Sequence, residues 1–567
     1  MKYVIRIVIT GLALMMIPAT VSGQFTAPEL LGRPTDQSVT VNVVPSQNMQ
    51  VYYEYGTVSG AYTGQTTTTS ATSGQPHESV ISGLSANTMY YYRIRYSTNG
   101  GSTWSSGTER SFHTQRAPGS TFRFSITSDS HVNIMLGSAT TWRQTLANVV
   151  GDGSDFHIDL GDTFAMDNVT TQSGADQAYL YQRTNDFFDE VNHSLPLFLA
   201  IGNHEQEEGW HLDDTGNPLT SPPVMGTNAR KKYYPNPIPD AFYTGNTDTY
   251  ASLDGDQLHE DYYAWQWGDA LFIILDPFWY TTTKPFTGNT GGGEGTDTGS
   301  GDRWDWTLGQ AQFNWLKATL QNSTAKYKFI FTHQLLADAS LSNQEDYGHA
   351  GANHVHMVEM GGKNEDGTTD AWSVERAGWG DDPIHQILVQ TGVSAVFHGH
   401  DHQYAYEMRD GVVYQSVPTS GWGDGQNGFN MYATGDGYTI RALPNTGHLR
   451  VTVAPDGTTV QYYRVGQTSP TANGTYTILP AVVASTLGDV NADGQVNSTD
   501  ALIELSSDVG IDTSQYCPLN CGDVNGDGFV NSTDALITLT HDSGTTVPYP
   551  LGTGACPATI TQPPGCH

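Results

Sequence analysis

Five short polar motifs, each placed directly after an apolar run of strand character, constrain this 567-residue chain more than any other feature. Phe122–Arg123–Phe124–Ser125–Ile126 leads to Asp129–Ser130–His131, and Phe156–His157–Ile158–Asp159–Leu160 leads to Gly161–Asp162. Leu197–Phe198–Leu199–Ala200–Ile201 leads to Gly202–Asn203–His204–Glu205, and Lys328–Phe329–Ile330–Phe331–Thr332 leads to His333. The fifth run, Ser394–Ala395–Val396–Phe397, leads to His398–Gly399–His400–Asp401–His402. Polar side chains just past strand ends gather along one edge of a sheet, where α/β proteins bind ligands. Imidazole, carboxylate and amide oxygen together suit transition metals such as Zn, Mn or Fe better than Ca or Mg alone. Glycines beside them permit tight turns and close backbone approach. Any one of these His or Asp residues, taken alone, is an ordinary turn or polar residue; the ordered set is what carries information.

The set resembles the calcineurin-like metallophosphoesterase family, whose pattern is D-x-H, GD, GNH[DE], H and GHxH. The match covers about two thirds of the chain when the whole region 118–484 is counted. The resemblance implies two packed sheets flanked by helices and a pair of metal ions. Asp129, His131, Asp162 and His402 would hold one ion; Asp162, Asn203, His333 and His400 would hold the other, with Asp162 bridging. His204 would act as general acid or phosphate contact, so Asp162 and His204 are the catalytic candidates, with His398 and Asp401 in hydrogen-bond support. Two cations roughly 3.5–4 Å apart bind phosphate oxygens and lower the pKa of a water between them. The expected activity is therefore phosphoester hydrolysis, of monoesters or diesters, on a phosphoester substrate.

Two departures from the family pattern stand out. The place three residues after the bridging Asp, often Asp or Asn, is Ala165. Purple acid phosphatases, which also carry a sandwich ahead of the catalytic region, use a Tyr ligand near the second motif. Thr163–Phe164–Ala165 offers none, which disfavours a purple Fe(III) site.

Ahead of this region, 24–117 is rich in Thr, Ser, Tyr and Val, with alternating runs at Val39–Val43, Val51–Tyr55 and Tyr90–Arg95 that read as a β-sandwich. The stretch from Gly83–Leu84 to Tyr91–Tyr92–Arg93 resembles the corner of a fibronectin type III domain. Within the middle region, Leu449–Val453 and Val460–Tyr463 around Ala454–Pro455–Asp456–Gly457 read as a hairpin, and Phe313, Leu316 and Leu320 share one helix face. The Gly/Thr-rich segment Gly288–Gly301 reads as a surface loop.

The region 485–545 contains a repeat: Gly488–Asp489–Val490–Asn491–Ala492–Asp493–Gly494 and Gly522–Asp523–Val524–Asn525–Gly526–Asp527–Gly528 match almost residue for residue. Each reads as a twelve-residue calcium loop, with Asp489, Asn491, Asp493, Gln495 (by its carbonyl) and Asp500 as ligands in the first. Asp523, Asn525, Asp527, Phe529 (by its carbonyl) and Asp534 serve in the second. The pair resembles a type I dockerin, which implies two Ca2+ ions and a cohesin-type scaffold protein as partner. Ser498–Thr499 and Ser532–Thr533 sit where dockerins often contact cohesin. The expected fold class is thus multidomain: β-sandwich, α/β metallophosphoesterase, then a small α calcium-binding module and a Cys/Pro-containing tail at 546–567.

Charge and cysteines bound the remaining options. Asp and Glu number 58 against 24 Lys and Arg, a net charge of −34, yet charged residues are only 14% of the chain, against a typical value of about 25%. The acidity comes from scarce base, and no nucleic-acid partner is expected. All four cysteines, Cys517, Cys521, Cys556 and Cys566, lie near the C-terminus, which excludes a cysteine nucleophile in the catalytic region and leaves three disulfide connectivities open. Lys2 and Arg6, an apolar run Val8–Met16 and small residues Ala19, Ser22 and Gly23 have the anatomy of a secretory signal peptide over 1–23. An extracellular protein with no membrane span follows. The alternative reading is an inactive scaffold component with the same fold, and loss of a metal ligand would favour it. Dockerins also keep company with polysaccharide-degrading hydrolases, but that chemistry leaves the histidines unexplained.

Overall fold

The computed structural model describes residues 23–252, 255–285, 299–300, 302–337, 350–364, 366–423, 436–444, 446–480, 487–491, 495–511, 513, 519–552 and 556. Residues 1–22, which hold most of the expected leader, most of the Gly288–Gly301 segment, and Asp493, Cys517 and Cys566 lie outside them.

Alternating apolar residues build the N-terminal β-sandwich. Strands Phe25–Gly32, Ser38–Pro45 and His77–Ser82 form one sheet, and a second sheet is centred on Met49–Gly56 paired antiparallel with Met89–Ser97. Leu31, Val39, Val41, Val43, Val51, Tyr53, Tyr92 and Ile94 fill the space between them. Ser85 N–H donates to Tyr90 Oη at 2.9 Å, a tyrosine corner of the kind that closes such sandwiches. The aromatic stripe is therefore core, as its period implies.

The middle region is two sheets face to face. In the six-stranded sheet, Leu197–Leu199, Phe156–Asp159 and Phe122–Thr127 run parallel, followed by the antiparallel strands Gly447–Ala454, Gly457–Arg464 and Thr475–Ile478. The eight-stranded sheet has at its centre the parallel strands Ala270–Ile274, Tyr327–Thr332, Ala395–His398 and Val412–Ser416. The hairpin over Ala454–Gly457 forms as its turn residues require. Phe124, Phe156, Phe198, Phe272, Phe331 and Phe397 interlock between the sheets. Helices cover the outer faces, among them Ala139–Gly151 on one side and Gly309–Gln321 on the other, the latter burying Phe313, Leu316 and Leu320.

The sandwich docks firmly on this body. Arg183, buried, donates to Pro28 O, Asn42 O, Asn42 Oδ1 and Tyr233 O, while Ala27, Leu30 and Val44 join the apolar cluster of helices Ala139–Gly151 and Pro222–Tyr233. Near the C-terminus, helices Ser498–Asp508 and Ser532–Asp542 pack together, each opened by a capping box, Asn497 with Asp500 and Asn531 with Asp534. The repeat is spatial as well as sequential: Ser498 N–H donates to Asp542, and Ser532 N–H to Asp508. Cys521 is bonded to Cys556.

Candidate metal centre

The parallel strands of both sheets end on one edge of the molecule, and every motif sits there. Asp129 follows Phe122–Thr127, Asp162 follows Phe156–Asp159, and Asn203 opens the turn Asn203–Glu205 after Leu197–Leu199. From the other sheet, His333 follows Tyr327–Thr332, and His400 and His402 follow Ala395–His398. None of these six side chains, nor that of His131, is more than 5% exposed.

They converge as two groups. Ligand atoms of Asp129, His131, Asp162 and His402 all lie within 4.8 Å of one another, as do those of Asp162, His333 and His400. Asp162 belongs to both: its Oδ2 is 3.2 Å from His131 Nε2 and 3.2 Å from His333 Nε2. Asp129 Oδ1 lies 3.2 Å from His402 Nε2, and Asn203 Oδ1 lies 3.1 Å from His333 Nε2 and 2.9 Å from His400 Nδ1. His333 Nδ1 is 2.9 Å from Leu160 O, so it carries the proton and leaves the Nε2 lone pair facing the cluster. His398 and Asp401 lie beside each other, 3.7 Å apart, rather than in either group.

Backbone geometry is given up to achieve this. Asp129, His131, Asp162, His400 and His402 all have left-handed φ, between 52° and 66°. Asp and His tolerate that region better than most residues, but each still costs on the order of 1–3 kcal/mol. Glycines make the close approach feasible: a Cβ on Gly202 would lie 2.4 Å from Asp162 Oδ1, and one on Gly399 would lie 2.1 Å from Ser128 Oγ.

The electrostatics favour positive charge at the centre. Burial alone would push the His131 and His333 imidazoles down, yet Asp129 and Asp162 hold them up at about 9 and about 10. Against the effect of burial, His402 with His131 and His333 holds the Asp129 carboxylate well below its usual range, and His333 with His204 and His131 does the same for Asp162. A pocket that stabilises protons this way fits metal cations, and the N and O donors match transition metals.

Sequence reading missed three residues here. Glu205 is the hub of the loops: Oε2 accepts from Gly202 N and Asp162 N, and Oε1 from Thr163 N and Phe164 N, at 2.7–2.9 Å. Glu205→Ala strips four buried donors of their acceptor and is expected to destabilise the protein by about 3 kcal/mol or more, read as a lowered denaturant midpoint. Glu205→Gln, keeping one acceptor oxygen, should lose less. Asp167 Oδ2 lies 2.7 Å from His204 Nδ1. It lies two residues after Ala165, and the only sequence signal is an acid within the segment that follows Asp162. Trp422 packs on His131 and His402, with ring centroids 5.8 and 4.6 Å away. Nothing in its local sequence marks it.

Away from the centre, Arg230 is buried against Glu207, while the part-exposed Lys231 and Lys232 pair with Glu260 and Asp176. Phe278 is fully buried, and Trp279 packs on His259. His354 and His356 belong to neither metal group, and His349 lies outside the described residues.

In the C-terminal loops, Asp500 accepts from Val490 N, Asn491 N and Asn497 N. Asp534 accepts from Asn525 N and Asn531 N, and Asp523 from Asp527 N and Gly528 N. Asp489 is buried and Phe529 exposed. Asp523, Asp527 and Asp534 do not converge as tightly as the dinuclear groups; backbone amides occupy their oxygens.

Comparison with known proteins agrees with this geometry. A solved structure of PhoD superposes with a TM-score of 0.56 at 16% identity, covering 82% of this chain and 92% of that one. Purple acid phosphatase PPD1 from yellow lupin (Lupinus luteus) seeds gives 0.50 at 14% identity, covering 80% and 74%. No curated protein sequence matches. The chain has the calcineurin-like phosphoesterase fold, joined to a β-sandwich at its N-terminal side. Its C-terminal part, residues 487–539, matches the dockerin type I domain.

Proposed function

We propose that this chain is a secreted, metal-dependent phosphoester hydrolase that docks to a cohesin-type scaffold through its calcium-binding module. The observation that carries the catalytic part is Asp162 Oδ2, equidistant at 3.2 Å from an imidazole of each group. Asp129, His131, Asp162 and His402 would hold one ion, and Asp162, Asn203, His333 and His400 the other. Such a pair supplies Lewis-acid polarisation of phosphoryl oxygens and a nucleophile at neutral pH. The protein's own groups do the rest. Glu205 fixes the loops of Asp162 and Asn203. His204 N–H donates to Asp162 Oδ1 at 2.8 Å, and its Nδ1 is held by Asp167, so Nε2 faces the cluster, 4.0 Å from Asp162 Oδ2. From there it can protonate a leaving oxygen.

Hydrolysis of p-nitrophenyl phosphate and of its bis-ester tests this, with protein stripped of metal and then resupplied with Mn, Zn, Fe or Ni. Metal-dependent release from either is expected, and their ratio gives the ester preference. Silence on both by folded, metal-loaded protein would sink the catalytic reading.

The docking part rests on the dockerin match and on exposed groups beside it: Ser498–Thr499 and Ser532–Thr533 are exposed, as are Leu502, Leu505, Leu536 and Leu539. Calcium would be held by Asp489, Asn491, Asp493, Gln495 and Asp500, and by Asp523, Asn525, Asp527, Phe529 and Asp534. Exchange into calcium-free buffer that still contains the activating transition metal should leave phosphoester hydrolysis intact while loosening both helices, seen as faster amide exchange over 498–508 and 532–542 and loss of cohesin capture. Among the described residues no helix is long and apolar enough to cross a membrane. We assign 1–23 as leader, 24–117 as sandwich, 118–484 as catalytic region, 485–545 as docking module and 546–567 as tail.

A further inference from the structure

One strand over from His333, a second set of metal-type donors is buried. Strands Tyr263–Trp267 and Ala270–Ile274 pair antiparallel, with Tyr263 opposite Ile274. Continuing that register by two residues sets Asp261 against Asp276, and His259 closes the group. Ligand atoms of the three lie within 4.8 Å of one another, and each residue is 1% exposed or less. Like charges directly opposed across a ladder are destabilising, the more so away from water.

The surroundings leave that repulsion in place. Asp261 Oδ1 accepts from Asn246 Nδ2 and Tyr262 N, at 2.7 and 2.8 Å, which turns Oδ2 toward the group. Asp276 Oδ1 accepts from Phe278 N at 2.8 Å. Arg230 is committed to Glu207 through its Nε and Nη2. His259 Nε2 lies 3.3 Å from Thr227 Oγ1, whose own proton goes to Glu207 or Pro223 O, so Nε2 carries the ring proton. Its Nδ1 then presents a lone pair to two carboxylates. Nδ1 and Asp261 Oδ2 are 2.7 Å apart, yet neither makes a hydrogen bond of acceptable geometry. With an oxygen of Asp276 they all lie within 4.8 Å of one another, a spacing the ligands of a single ion can share. Trp279, 3.9 Å from the His259 ring by centroid, and Tyr250, at 5.5 Å, cover the site.

We propose that His259, Asp261 and Asp276 form a third cation site for one divalent ion of the Zn, Mn or Fe type. Imidazole with two carboxylates is a borderline donor set that selects such ions over calcium. The ion fastens the strand pair to the loop that places Phe278 against His333, whose rings are 6.3 Å apart. The site stands independently of the hydrolase reading.

Anomalous diffraction at the metal edge from full-length protein, equilibrated with millimolar Mn or Zn in the presence of calcium, tests it. A peak enclosed by His259, Asp261 and Asp276 is expected; no peak there overturns the proposal, whether or not the dinuclear centre is filled. Metal counting gives a second arm: His259→Ala and Asp276→Asn should each bind one transition-metal equivalent fewer than the parent and keep the dinuclear pair. An unchanged count in a folded variant overturns the site and leaves a shared proton as the group that separates the carboxylates. If both variants fail to fold, the diffraction result on the parent decides.

Discussion

Asp162→Asn is expected to cut kcat for phosphoester hydrolysis by roughly a thousandfold or more, about 4 kcal/mol in transition-state stabilisation. The two side chains have the same shape, so the loss is chemical. Asp162 Oδ1 accepts from His204 N–H, and Oδ2 faces the imidazoles of His131 and His333. If the asparagine carbonyl keeps the His204 contact, its NH2 points at the position where two cations would be held. If it flips, the NH2 meets the His204 N–H instead. Either way the centre loses a negative charge and one of its bridging contacts, and metal content should fall with activity. The check is kcat together with metal analysis on purified variant whose melting temperature shows it folded. Turnover and metal content equal to the parent would remove Asp162 from the site.

His204→Ala should lower kcat by roughly 10²–10⁴-fold for substrates with poorly acidic leaving groups. The loss should be much smaller for p-nitrophenyl esters, because p-nitrophenolate departs without needing a proton. That contrast separates a proton donor from a residue that only shapes the pocket. Asp167→Asn should follow the same leaving-group pattern more weakly: it orients His204 through Nδ1 and does not touch the substrate, and at 19% side-chain exposure it is partly solvated. Equal losses across leaving groups in His204→Ala would assign it to phosphate binding instead.

The five motifs are legible because each pairs a strand-length apolar run with polar groups at its end, a local pattern. The same locality exposes the calcium repeat, whose capping boxes at Asn497–Asp500 and Asn531–Asp534 lie within three residues of themselves. The tyrosine corner from Ser85 to Tyr90 is equally short in range. What could not be read depends on register and on which groups fold back. Asp167 supports His204 across a separation of 37 residues, and Trp422 reaches His131 from 291 residues away. Arg230, Lys231 and Lys232, consecutive in sequence, each pair with an acid from a separate stretch of chain, Glu207, Glu260 and Asp176.

By itself, then, the sequence determined the order of modules, the strand ends that carry the clustered polar residues, and the identity of those residues, because side-chain chemistry and short-range periodicity are written residue by residue. Only the tertiary structure decided that Glu205 ties four amides of neighbouring loops, that Asp167 holds His204, and that His259, Asp261 and Asp276 meet. Those facts arise where two sheets bring strand ends together and a β-ladder sets one carboxylate opposite another, and pairing of that kind is a property of the register rather than of any local stretch of chain.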